Sequence, residues 1–129
     1  MNREIKFKGK TVSGKWVYGN YSHIKKDFST VKSGHYISNS VGAPFAYLVR
    51  PETIGQSTGL KDKTGKDIYE GDKIRKPGSD NIYTVVFFDG AFYLKNGGVN
   101  HRLSWTTNDG EVVGNIHDNP EFLKGGSDE

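Results

Sequence analysis

Between Pro51 and Arg75 the chain reads PETIGQSTGLKDKTGKDIYEGDKIR, with Gly55, Gly59, Gly65 and Gly71 each closing a short word. Glycine reaches positive φ at no steric cost, so this spacing predicts tight turns between short strands. Lys63-Thr64-Gly65-Lys66 is predicted as a turn ahead of Asp67-Ile68-Tyr69, and Gly71-Asp72 as the entry to a strand running through Ile74. The chain as a whole holds 17 glycines, one methionine and no cysteine. That balance points to a turn-rich β protein rather than a helical bundle, and it removes disulfides and thiolate metal sites.

Other stretches carry the period of two expected of strands. Ile5 and Phe7 share one face of residues 3–8, and Trp16 and Tyr18 alternate with Val17 after Ser13-Gly14, which predicts an N-terminal β-hairpin. The clearest hairpin is Ile82–Phe88 followed by Ala91–Leu94 around Asp89-Gly90. A two-residue type I′ turn there pairs Phe88 with Ala91 and Phe87 with Phe92. Arg102–Trp105 reads as short and extended, and Glu111–His117 as a closing strand. Residues 20–50 show only short patches, His35-Tyr36-Ile37 and Phe45–Val49, around a polar loop.

The 16 aromatics bury roughly 150–250 Å² each, which makes a small core feasible in a chain that is only one-third apolar. The expected fold is mainly β: a small SH3-like barrel in the C-terminal part, with an N-terminal β-hairpin or arm. The expected division is 1–50 for the hairpin and variable loop region, 51–124 for the barrel, and 125–129 for a disordered tail behind a Phe122-Leu123 anchor. No apolar run suits a membrane span and MNREIKFKGK lacks a secretory apolar core, so a cytoplasmic protein is expected.

Catalytic constellations are missing from the sequence. Gly55-Gln56-Ser57-Thr58-Gly59 has the Gly-x-Ser-x-Gly spacing, but the helical pattern that a nucleophile elbow requires does not follow it. There is no phosphate-binding loop, and no histidine stands at ligand spacing from another. Asp62, Asp67 and Asp72 recur every five residues without the ligand alternation of a calcium loop, and read as turn aspartates bonding nearby amides. The expectation is therefore no enzyme, no metal and no cofactor.

Charge is uneven. Residues 1–33 hold eight Lys/Arg against Glu4 and Asp27, whereas residues 109–129 hold six acids against Lys124. Opposed ends can attract one another within or between molecules, or serve separate partners. In the first hairpin Lys6, Lys8, Lys10 and Lys15 stand beside Trp16 and Tyr18, the composition that nucleic-acid binding uses: cations for phosphates, aromatic faces for bases. Alternatively Trp16 and Tyr18 fill the core while the lysines solvate the outside, a reading favoured by the shortage of aliphatic residues.

The chain resembles the YopX-like proteins of phages and prophages of Gram-positive bacteria. The matching words are Ile5–Lys10, Trp16–Gly19, Pro51–Gln56, Thr58–Lys63, Gly65-Lys66, Ile68–Asp72 and Val113–Glu121. Lys8 stands where the family often has Arg, and Ser57 where an aromatic is usual. The resemblance implies a mostly β phage or prophage protein with an SH3-like barrel in its C-terminal part and no established biochemical role, so it transfers no catalytic residues. The expected function is a non-enzymatic accessory protein binding a host or phage protein or copies of itself. The alternative is a nucleic-acid-binding module on Lys6, Lys8, Lys10, Lys15, Trp16 and Tyr18. A third expectation is a mimic that blocks a host protein through the acidic C-terminal strand.

Overall fold

The computed structural model describes residues 6–39, 46–78, 80–97, 99–102 and 109–118. The expectations for Ile5, Phe45, Leu103–Trp105, Phe122-Leu123 and the 125–129 tail lie outside them. The structure is mainly β, built as two antiparallel sheets, and no helix occurs among the described residues. None is therefore long and apolar enough to cross a membrane. The chain divides into two compact units, Met1–Gln56 and Ser57–Glu129.

In the first unit β1 (Phe7–Thr11), β2 (Trp16–Ile24), β3 (Gly34–Ser38) and the first part of β4 (Ala46–Lys61) pair in a cycle. β1 pairs with β2 on one side and β4 on the other, while β3 joins β2 to β4. The loop Thr11–Lys15 closes the β1–β2 hairpin through paired backbone bonds, with Gly14 at φ 93°. Val17, Ile37 and Val49 form the core, and Phe7, Tyr21, Tyr47 and Ile54 pack against it. Each fully buried aliphatic contributes about 1.5–3 kcal/mol relative to an exposed one, so this small cluster leans on its aromatic wall.

The second unit contains the end of β4 and β5 (Asp67–Tyr69), then a five-stranded sheet in the order β10-β6-β7-β8-β9. These are β6 (Asp72–Arg75), β7 (Ile82–Phe88), β8 (Ala91–Asn96), β9 (Val99–Arg102) and β10 (Glu111–Asn115). Ile68, Ile74, Val85 and Leu94 are its core, wrapped by Leu60, Tyr83, Phe92 and Val112. The Asp89-Gly90 hairpin has the register its sequence predicts, Phe88 opposite Ala91 and Phe87 opposite Phe92, with positive φ at both turn residues.

The glycine-punctuated segment departs from expectation at its start. Gly55 and Gly59 do not turn the chain: both lie inside β4, a single strand of 16 residues. Long-range pairing explains this. β4 serves β3 through Ala46–Val49, β1 through Val49–Gln56 and β5 through Ser57–Lys61, so one extended run replaces several short ones. Gly59, at φ 83°, falls where the β4–β5 register shifts between Ser57 and Lys61, the role glycine takes at a bulge or bend. Gly65 (φ 90°) and Gly71 (φ 93°) do stand at turns, and a β strand opens at Asp72 as predicted.

The turn aspartates divide by role. Asp62 and Asp72 accept backbone amides, from Thr64, Lys66 and Val112 in the first case and Tyr69 in the second. Asp67 instead takes the Lys61 ammonium at 2.6 Å. Lys73, which alternation alone leaves unremarked, is fully buried and donates to the Thr84 hydroxyl at 2.6 Å. Burial lowers its pKa.

Candidate binding site in the first unit

The β1–β2 register decides where the predicted site residues fall. Lys8 is opposite Tyr18 and Lys10 opposite Trp16, so these four share one face of the hairpin, while Phe7, Gly9, Val17 and Gly19 share the other. Val17 enters the core. This overturns the inward reading of the aromatics: Trp16 is half-buried and Tyr18 is 45% exposed. Period-two alternation places Trp16 and Tyr18 together but cannot say which face is inside. The smaller β-branched residue won, because the tight closure of four strands leaves room for Val17 among Ile37 and Val49.

Nor do the lysines simply solvate the outside. Lys8 is buried, 5% exposed, with its ammonium 4.6 Å from the centre of the Trp16 ring. Its β4 partner is Gly55, which has no side chain to compete for that space. Lys10 lies 5.7 Å from the same ring, and Lys15 lies 5.8 Å from the ring of Tyr47. Such contacts contribute about 0.5–1 kcal/mol at exposed sites and more when desolvated. They hold the indole in place and gather positive charge around it. Lys6 precedes β1 and is half-buried.

Lys15, Trp16, Val17, Tyr18, Asn39 and Tyr47 line a concavity of about 330 Å³. Its walls come from three places in the chain: the start of β2, the residue after β3, and the start of β4. Asn39 is positioned by donating its side-chain amide to the Tyr18 carbonyl at 2.9 Å. The sequence pointed to Lys15, Trp16 and Tyr18 but not to Asn39 or Tyr47. Tyr47 carried a weak signal, its alternation with Val49; Asn39 carried none. The volume sits at the small end of ligand pockets. Three aromatic rings with an amide and an ammonium at the rim can stack a flat group and neutralise an anion beside it. Among the described residues, no three or more His, Asp or Glu come together to hold a metal ion.

The chain matches the YopX protein family over residues 4–124 and belongs to that family. Among solved structures it is similar to protein EF1440 from Enterococcus faecalis, at 26% identity and a TM-score of 0.57, with 95% of this chain and 99% of that chain covered. No curated protein matches it.

Proposed function

We propose that this is a non-enzymatic binding protein whose ligand is single-stranded nucleic acid, held on the first unit. One observation carries the reading: the half-exposed Trp16, Tyr18 and Tyr47 form an open concavity with Lys10 and Lys15 beside it. Charge supports it. Residues 1–56 contain nine Lys/Arg against three acids, whereas residues 57–129 contain nine against twelve, so the positive balance of the chain belongs to this unit. Bases would stack on the exposed aromatic faces and phosphates would take the ammonium groups, with stacking worth about 1–3 kcal/mol per base.

Titrating a fluorescein-labelled oligothymidylate and following its anisotropy tests this. Binding is expected at about 50 mM salt and should weaken steeply as salt rises; changing Lys10 and Lys15 to Gln should flatten the salt slope by roughly 1.4, from about 0.7 per phosphate contact. Trp16→Ala should weaken binding by about 5- to 150-fold at unchanged slope. An oligonucleotide that fails to bind the wild-type protein at about 50 mM salt rules the reading out.

A second reading, a protein partner or a second copy, draws on the β7–β8 hairpin. There Phe87 and Phe88 are 47% and 46% exposed, Phe87 rests on Phe92, and Phe88 stacks on Tyr93 at 4.5 Å. The net charges of the two units are also opposite in sign. Light scattering at low and high salt separates the cases: a salt-sensitive dimer supports this reading, and a monomer at every concentration removes self-association. Finer expectations accompany the proposal: a phage or prophage accessory protein in the cytoplasm of a Gram-positive host, with an SH3-like barrel in the second unit. Family membership, the likeness to the Enterococcus faecalis protein and the short antiparallel strands of the second sheet support them.

A further inference from the structure

We infer that His23 and His35 form a two-imidazole site for a divalent transition metal at the loop end of the β2–β3 hairpin. The residues are twelve apart in sequence, a separation that carries no ligand signature. The fold places them directly opposite one another across the two strands. Their ring centres are 4.1 Å apart with planes inclined by 13°. Two nitrogens on neighbouring corners of a tetrahedral zinc site, each about 2.0–2.1 Å from the metal, stand about 3.3 Å apart. Stacked imidazoles hold their in-plane lone pairs nearly parallel, so chelation requires the His23 ring to turn out of the stack until one nitrogen of each ring faces the same metal.

His35 is already oriented for the task. Its Nδ1 lies 2.7 Å from the Tyr21 hydroxyl, and the two rings stack with planes only 3° apart. That bond leaves Nε2 as the atom for coordination. On metal binding Nδ1 carries the proton and donates it to the phenol oxygen, the arrangement that fixes tautomer and ring direction in metal-ligating histidines. Tyr21 is itself held by Phe7, at 5.6 Å between ring centres, and by the core of the unit. His23 is exposed, so its ring can tilt without rearranging packing. No carboxylate completes a group of three among the described residues, so water fills the remaining positions. Such a site binds reversibly and prefers metals that favour imidazole, with Cu²⁺ held more tightly than Zn²⁺. Bound metal ties β2 to β3 where the 25–33 loop begins and ends.

Calorimetric titration of the whole chain with copper(II) and zinc chlorides near pH 7.5, in a non-chelating buffer, tests the site. One metal per chain is expected, with shifts confined to the His23 and His35 ring signals in the NMR spectrum. His23→Ala and His35→Ala should each weaken binding tenfold or more. Tyr21→Phe, which keeps the ring and removes only the hydroxyl, should weaken it about tenfold. His101→Ala and His117→Ala should change nothing. Because His23 is exposed, its variant keeps the test decisive even if replacing His35 disturbs the fold. Absence of binding at about 1 mM metal, or binding unchanged in His23→Ala, overturns the inference.

Discussion

Replacing Asp62 by alanine is expected to lower the stability of the second unit by about 3 kcal/mol at neutral pH, because four donors lose a charged, buried acceptor at once. Asp62 is 5% exposed. Its Oδ1 accepts from the Thr64 amide at 2.8 Å, the Thr64 hydroxyl at 2.6 Å and the Lys66 amide at 2.9 Å, which builds the β4–β5 turn around one carboxylate. Its Oδ2 accepts from the amide of Val112 in β10 at 2.9 Å. A turn is thereby tied to a strand fifty residues away. Beside it the Lys63 amide donates to the Gly110 carbonyl at 2.9 Å, so the junction has a backbone bond as well.

The same residue sets a pH dependence. Burial raises the Asp62 pKa, but the hydrogen bonds from Thr64, Val112 and Lys66 together outweigh it and bring the value from 3.8 down to about 2. A depressed folded-state value means stability that is present above the unfolded pKa near 4 and lost as pH falls through the folded value near 2. The shift corresponds to roughly 2.5 kcal/mol. Urea unfolding at a series of pH values between 6 and about 2 should show this loss in the wild type and a flatter profile in Asp62→Asn. Asp109, whose pKa is lowered chiefly by its hydrogen bond from Lys76, titrates in both proteins and cancels in the comparison. A variant whose stability declines as steeply as the wild type would refute the assignment.

Local signals were legible and long-range ones were not. Asp89-Gly90 needs only its own two residues at positive φ and apolar partners on either side, so its register could be read from seven or eight letters. Gly55 and Gly59 look the same as turn glycines in sequence, yet β4 stays extended because three different strands bond to it in succession. The candidate site shows the same division. Lys15, Trp16 and Tyr18 are neighbours in the chain, whereas Asn39 and Tyr47 reach the concavity only through the β2–β3 and β3–β4 registers. The burial of Lys8 depends on a glycine 47 positions away across β4. His23 and His35 meet for the same reason: their pairing is a property of register, which no spacing rule contains.

Gly19→Ala is expected to destabilise the first unit by about 2–5 kcal/mol, combining backbone strain with overpacking. Gly19 occupies the point where β2 changes partners: Trp16–Gly19 pair with β1, and Asn20–Ile24 pair with β3. The strand must twist sharply there, and Gly19 does so at φ 155°, a value that L side chains rarely adopt. Space is lacking too. A Cβ at Gly19 would lie 2.1 Å from the Ser38 carbonyl oxygen and 2.9 Å from its carbon, and a backbone carbonyl in a paired strand cannot swing aside as a flexible side chain can. Gly90 is the control, since it also has positive φ, 80°, but a Cβ there meets nothing within 4 Å. Gly90→Ala should therefore cost only the backbone term, about 1–2 kcal/mol in the second unit. Amide hydrogen exchange resolves the two units: Gly19→Ala should accelerate exchange at Val17, Ile37 and Val49 while leaving Ile74, Val85 and Leu94 protected. Equal losses for Gly19→Ala and Gly90→Ala would show that the Ser38 carbonyl does not set the cost.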